Sequence, residues 1–116
     1  WLMENTRHDH LKLNFDYSHF YVEHIDLQHA VDLNIPYAVH NHIKDGYRDE
    51  QEKVNYLLPG EGKLDLSNYV KVLSSAGWNS YLCPEVTAQI WKRPDYDPWI
   101  TSERCFHNLD LARSNL

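Results

Sequence analysis

Several features that would commit this chain to a membrane or to nucleic acid are missing. Asp, Glu, Lys or His interrupts every apolar run well before the roughly 20 residues that a spanning helix requires. The opening Trp1-Leu2-Met3-Glu4-Asn5 has no basic region followed by an apolar one, so it does not read as a secretory signal. Basic residues number 11 against 17 acidic ones, a formal charge of −6, and no Lys/Arg cluster offsets that sign. A phosphate backbone is therefore not an expected partner. There are only two cysteines, Cys83 and Cys105, and neither lies in a C-x-x-C pattern. A disulfide framework is excluded, and two reduced thiols suit a cytoplasmic protein.

What is present suffices for one ordinary domain. The 116 residues are 42% hydrophobic and include four Trp and eight Tyr, so disorder is excluded and a core can form. Eight histidines are scattered along the chain. The first residue is Trp rather than Met, and the opening residues read as the continuation of something longer. An incomplete chain is expected.

Apolar patterning alternates between two periods. Leu11 to Asp16 alternates apolar and polar residues, as a strand does. Asp26 can cap a short helix with Leu27, Ala30 and Val31 on one face. Tyr37 to Ile43 is rich in β-formers and reads as a second strand. A polar connection from Lys44 to Lys63 is expected to be a shaped loop, since loops of that length are often functional. Asp65 or Ser67 then caps an amphipathic helix carrying Leu66, Tyr69, Val70 and Leu73, and Gly77 stops it. Asn79 to Glu85 reads as a third strand. Asp97-Pro98 opens a last helix to about Ser114, with Phe106, Leu109 and Ala112 on one side. Strand and helix alternating three times predict a parallel sheet with right-handed crossovers, either an open doubly wound sheet or part of a barrel.

Each predicted strand closes on a group able to hold a metal or move a proton: Asp16, His42 and Glu85. Parallel strands place their carboxyl ends on one rim, so the three should converge. One polar strand end is ordinary turn chemistry; three at one rim favour a site. The mixed O,N,O set suits Mn²⁺, Mg²⁺, Co²⁺ or Zn²⁺ rather than a thiolate-selective metal. Period two also puts His40, His42 and Lys44 on one face of their strand, and Tyr81, Cys83 and Glu85 on one face of theirs. His40 lies a layer down in the sheet, where a buried imidazole needs a partner.

These motifs, in this order, resemble the C-terminal part of the sugar phosphate isomerase/epimerase family, the xylose isomerase-like TIM barrels. Asn14-Phe15-Asp16-Tyr17-Ser18-His19 is similar to its Asp-x-x-His segment, and His40-Asn41-His42-Ile43-Lys44-Asp45 to its His-x-His-x-Lys-Asp strand. Leu58-Pro59-Gly60-Glu61-Gly62 resembles the loop that follows. Ala76-Gly77-Trp78 through Cys83-Pro84-Glu85-Val86 resembles the last strand with its Glu. Asn41 departs from the apolar residue usual between the histidines. The resemblance implies that residues 1–116 are the C-terminal portion of a single TIM (β/α)8 barrel, about three strand-helix units, whose N-terminal portion is missing.

It further implies that Asp16, His42 and Glu85 bind a divalent metal, with one further Glu on an earlier strand outside this chain. Glu85 would serve as an acid/base group, with His19 as a catalytic and substrate-contacting histidine. His40, Lys44 and Arg48 would face the substrate, a small sugar or sugar phosphate. The implied reaction removes a proton beside a carbonyl, through an enediolate that the metal stabilises. The parent protein would be the isomerase or epimerase, and the chain by itself inactive. A complete barrel needs roughly 250 residues, so open sheet edges would favour self-association. Inosose dehydratase or hydroxypyruvate isomerase-like enzymes share the same logic. An endonuclease IV-like nuclease has Asp-x-His where this chain has His40-Asn41-His42, and a non-catalytic barrel would carry no metal.

Overall fold

The computed structural model describes residues 1–6 and 9–114. A short helix, α1 (Leu2–Thr6), precedes β1 (Leu13–Asp16). Two helices follow, α2 (Tyr17–Tyr21) and α3 (Leu27–Asn34), and a 3₁₀ turn at Ile35–Tyr37 leads into β2 (Ala38–Ile43). Next come β3 (Asp45–Arg48), β4 (Val54–Leu57) and α4 (Leu66–Ser75). The chain closes with β5 (Cys83–Pro84), α5 (Ala88–Trp91) and α6 (Pro98–Ser114).

β1, β2 and β5 form a parallel sheet in that order, with Asp16 opposite His42 and His42 opposite Cys83. Both strand-to-strand connections carry helices, as parallel pairing requires. On the helix-covered face, Phe15 and Ile43 pack with Val31, Tyr69 and Leu73, all essentially inaccessible to water. Buried Asn41 lies on this face too, and its carbonyl oxygen accepts from the Tyr69 hydroxyl at 2.7 Å. Its amide nitrogen has no partner among the described residues.

The helix ends follow their local chemistry. Asp26 accepts from the His29 amide at 2.9 Å, and Asp65 from the Asn68 amide at 2.9 Å. Asp97 accepts from the amides of Trp99 and Ile100 ahead of Pro98. Gly77, at φ 84°, ends α4 in the left-handed region, where a side chain is strained.

Four expectations change. The segment from Lys44 to Lys63 is not one loop: β3 and β4 pair antiparallel within it, Asp45 opposite Leu57 and Arg48 opposite Val54. The third strand shrinks to Cys83–Pro84, and Tyr81 is largely exposed. His40 is exposed rather than enclosed. In α6 the buried side is Thr101, Cys105 and Ala112, while Phe106 is 71% exposed.

The hairpin is tied down by one carboxylate. Asp45 is fully buried; its Oδ1 accepts from the amides of Gly46 and Leu64, and its Oδ2 from that of Gly62. A Cβ on Gly62 would collide with that carboxylate, so only glycine lets the backbone approach so closely. Burial outweighs these donors and pushes the Asp45 pKa up. A groove of about 700 Å³ lies between α4, α6 and the segment carrying β5, lined by Trp78, Tyr81, Leu82, Cys105 and Phe106 among others.

Candidate active site

Because side chains alternate along a strand, the face opposite the core carries Asn14 and Asp16 from β1 and His40 and His42 from β2. Cys83 of β5 lies beside His42 on that face. Lys44 and Glu85 continue their strands at the carboxyl rim, where the Glu85 amide donates to the Ile43 carbonyl at 3.0 Å. One ligand atom from each of Asp16, His42 and Glu85 lies within 4.8 Å of the others. The convergence that parallel topology predicts is therefore present.

The space between the two carboxylates holds an ammonium. Lys44 is 1% exposed, and its Nζ donates to both Asp16 Oδ2 and Glu85 Oε2. His19 Nε2 lies 3.2 Å from the same nitrogen and 3.6 Å from Asp16 Oδ2. The Tyr56 ring carries the ammonium over its face, 4.8 Å from the centroid, a cation–π contact. The Tyr56 hydroxyl meets His19 Nδ1 at 2.8 Å. Burial pushes the Tyr56 phenol pKa up, partly offset by Lys44, so it stays a neutral hydroxyl.

Asp16 works at two levels. Its Oδ1 caps α2, accepting from the Ser18 amide at 3.0 Å and the Ser18 hydroxyl at 2.6 Å. Its Oδ2 faces the rim. Burial alone would raise its pKa, but the hydrogen bonds from Lys44 and Ser18, with the Lys44 and His19 charges, prevail and hold the carboxyl below its ordinary range. Glu85 is more open, with its side chain 37% exposed, and its Oε2 lies 3.8 Å from His42 Nδ1. The Asn14 side-chain nitrogen lies 3.2 Å from that same Nδ1 and helps to fix the ring.

The remaining sequence candidates sit around this cluster in different ways. His40 packs its ring edge-to-face against His42, centroids 4.9 Å apart. Arg48 has its fork engaged elsewhere: it donates to the carbonyls of Val22 and Glu52 at 3.0 and 2.7 Å and pairs with the Glu23 carboxylate. Its visible work is to fasten β3 to the end of α2. Tyr56 is a contributor that motif reading missed, whereas Asn14, Ser18 and Asp45 lay inside the quoted motifs with no role given to them. For Tyr56 the one available signal was the alternation of Val54-Asn55-Tyr56-Leu57 inside a segment read as loop.

Comparison with known proteins gives a consistent fold. The family model described as xylose isomerase-like TIM barrel matches residues 2–104. The apo crystal structure of 3-keto-D-glucoside 4-epimerase from E. coli superposes with a TM-score of 0.64 at 22% identity, covering 97% of this chain and 36% of that one. This chain thus spans about a third of that enzyme's length. Among curated proteins none matches. No described helix is long and apolar enough to cross a membrane.

Proposed function

The chain belongs to the xylose isomerase-like TIM barrel family, and we propose that it is the C-terminal portion of one such barrel, in a divalent-metal-dependent isomerase or epimerase of small sugars or sugar phosphates. The observation that carries this reading is the convergence of Asp16, His42 and Glu85 on one rim. The donor chemistry suits the group. Two carboxylate oxygens and one imidazole nitrogen match Mn²⁺, Mg²⁺, Co²⁺ or Zn²⁺, and the Lys44 ammonium between the carboxylates marks a position built for positive charge. Asp16, His42 and Glu85 would hold the ion, which when bound supplies a Lewis-acid charge beside the substrate carbonyl.

The other residues act on substrate and proton. Glu85 is the proton carrier: its carboxylate stands at the rim and reaches solvent, so it can meet a carbon-bound proton next to a carbonyl. His19, 57% exposed and oriented by the Tyr56 hydroxyl, presents an imidazole edge to a sugar hydroxyl. His40, exposed on the same face, lines the floor of the cup. Lys44 serves the carboxylates first and contacts substrate only by leaving them. Each Arg48 guanidinium nitrogen is already engaged by Val22, Glu52 or Glu23, which turns the fork toward the end of α2, so no substrate role is assigned to it.

The test is proton exchange. The full barrel containing this chain, supplied with Mn²⁺ and a panel of ketoses, 3-keto sugars and their phosphates in D₂O, should incorporate deuterium at the carbon next to the carbonyl. Glu85→Gln should slow that incorporation by roughly 10²–10⁴-fold, the usual contribution of a positioned general base. Exchange at near-normal rate in this variant, with Mn²⁺ still bound, removes Glu85 from the role. No exchange with any sugar in the panel counts against the class of reaction.

A further inference from the structure

We propose that His40, His42 and Cys83 form a second cation site, selective for a thiophilic divalent ion such as Zn²⁺ or Co²⁺, on the same sheet face as the carboxylate cluster. One ligand atom from each of the three lies within 4.8 Å of the others, the span over which a single ion can be shared. The backbone enforces this proximity. His40 and His42 are two residues apart on β2 and point to the same side, and the parallel register sets Cys83 directly beside His42. The histidine rings already meet edge-to-face.

Donor type separates this set from its neighbour. Two imidazoles and a thiolate are soft to borderline ligands that favour Zn²⁺ and disfavour Mg²⁺. The rim set, with two carboxylates, accepts hard ions. An ion entering at the rim must also displace the Lys44 ammonium, whereas the lower set contains no carboxylate for that ammonium to hold. Binding would exchange the Cys83 thiol proton for the ion and release that proton to solvent. With three protein ligands, a fourth coordination position would be left for water.

The shared residue gives the site a consequence. A neutral imidazole offers one lone pair, so His42 serves one ion at a time. A thiophilic ion in the lower set would take His42 from the rim and weaken hard-ion binding there. The site itself stands whether or not the rim set is catalytic.

Cobalt reports it directly. The reduced protein titrated with Co²⁺ should develop a sulfur-to-cobalt charge-transfer band in the near ultraviolet. The band should vanish in Cys83→Ser and survive in Cys105→Ala and Asp16→Asn. Absence of the band in the unmodified protein, or its persistence in Cys83→Ser, overturns the site. A second readout needs no variant: saturating Co²⁺ should slow alkylation of Cys83, mapped by mass spectrometry, by about tenfold or more, because a metal-bound thiolate is a masked nucleophile. An unchanged alkylation rate also overturns it.

Discussion

Replacing Lys44 by methionine tests the electrostatic logic of the rim most directly. The methionine keeps most of the apolar stem over Tyr56 and removes only the charge. Two carboxylates are then left facing each other. Asp16 is almost fully buried, and stranding a buried charge by deleting its partner costs about 3–5 kcal/mol. Glu85 is over a third exposed and water can take it back, so its share is at most about 1 kcal/mol. Asp16 also keeps its two bonds from Ser18, which places the total near the lower end, roughly 3 kcal/mol. Urea unfolding in the presence of a chelator should show that loss. Adding Mn²⁺ should then return stability, about 2.7 kcal/mol at one hundred times the dissociation constant. The unmodified protein should gain less at the same Mn²⁺ concentration, because the ion must first displace the ammonium. Equal stability of the two proteins in chelator, or Mn²⁺ binding no tighter to the variant, would refute the reasoning.

Three further outcomes follow from described contacts. Tyr69→Phe removes the hydroxyl that satisfies the Asn41 carbonyl and should cost about 1–3 kcal/mol in denaturant unfolding; the double variant Asn41→Val, Tyr69→Phe should recover most of it, since no buried polar atom is left stranded. Asp45→Asn places an amide NH₂ among three backbone N–H donors, and should cost about 1–3 kcal/mol and speed amide exchange at Gly46, Gly62 and Leu64. Asp16 has a pKa below its unfolded value, so its stabilisation is complete above about pH 4 and is lost as pH falls through the lower folded pKa. Asp16→Asn should therefore flatten that part of the acid unfolding curve, and an unchanged acid limb would contradict the assignment.

How far the sequence was legible depended on the range of the interactions involved. Local chemistry was readable: Asp26, Asp65 and Asp97 cap helices, Gly77 stops one, and period two put Asp16 and His42 on one face. The hairpin was not. Its strands are four residues long, and its turn Asp49-Glu50-Gln51-Glu52 lacks the Asn-Gly or Asp-Gly signal of a two-residue hairpin. It is held instead by Asp45 reaching Gly62 and Leu64 and by Gln89 meeting the Tyr56 amide, which are pairings across distant sequence. At Cys83–Pro84 a proline without an N–H and an exposed Tyr81 leave little to pair, although the composition favoured a longer strand. Alternation also placed Lys44 on the correct face, but could not show that its side chain would settle between two carboxylates.

Lys44 and Asp45 are adjacent, and each is buried against its own complement: an ammonium among carboxylates, a carboxylate among amide donors. A slip of one residue carried through the junction of β2 and β3 would interchange them. Three acidic groups would then crowd one spot, and a cation would confront N–H groups that can only repel it. The pair works as a proofreading device for strand alignment, making the nearest misfolded pairing costly at two places at once.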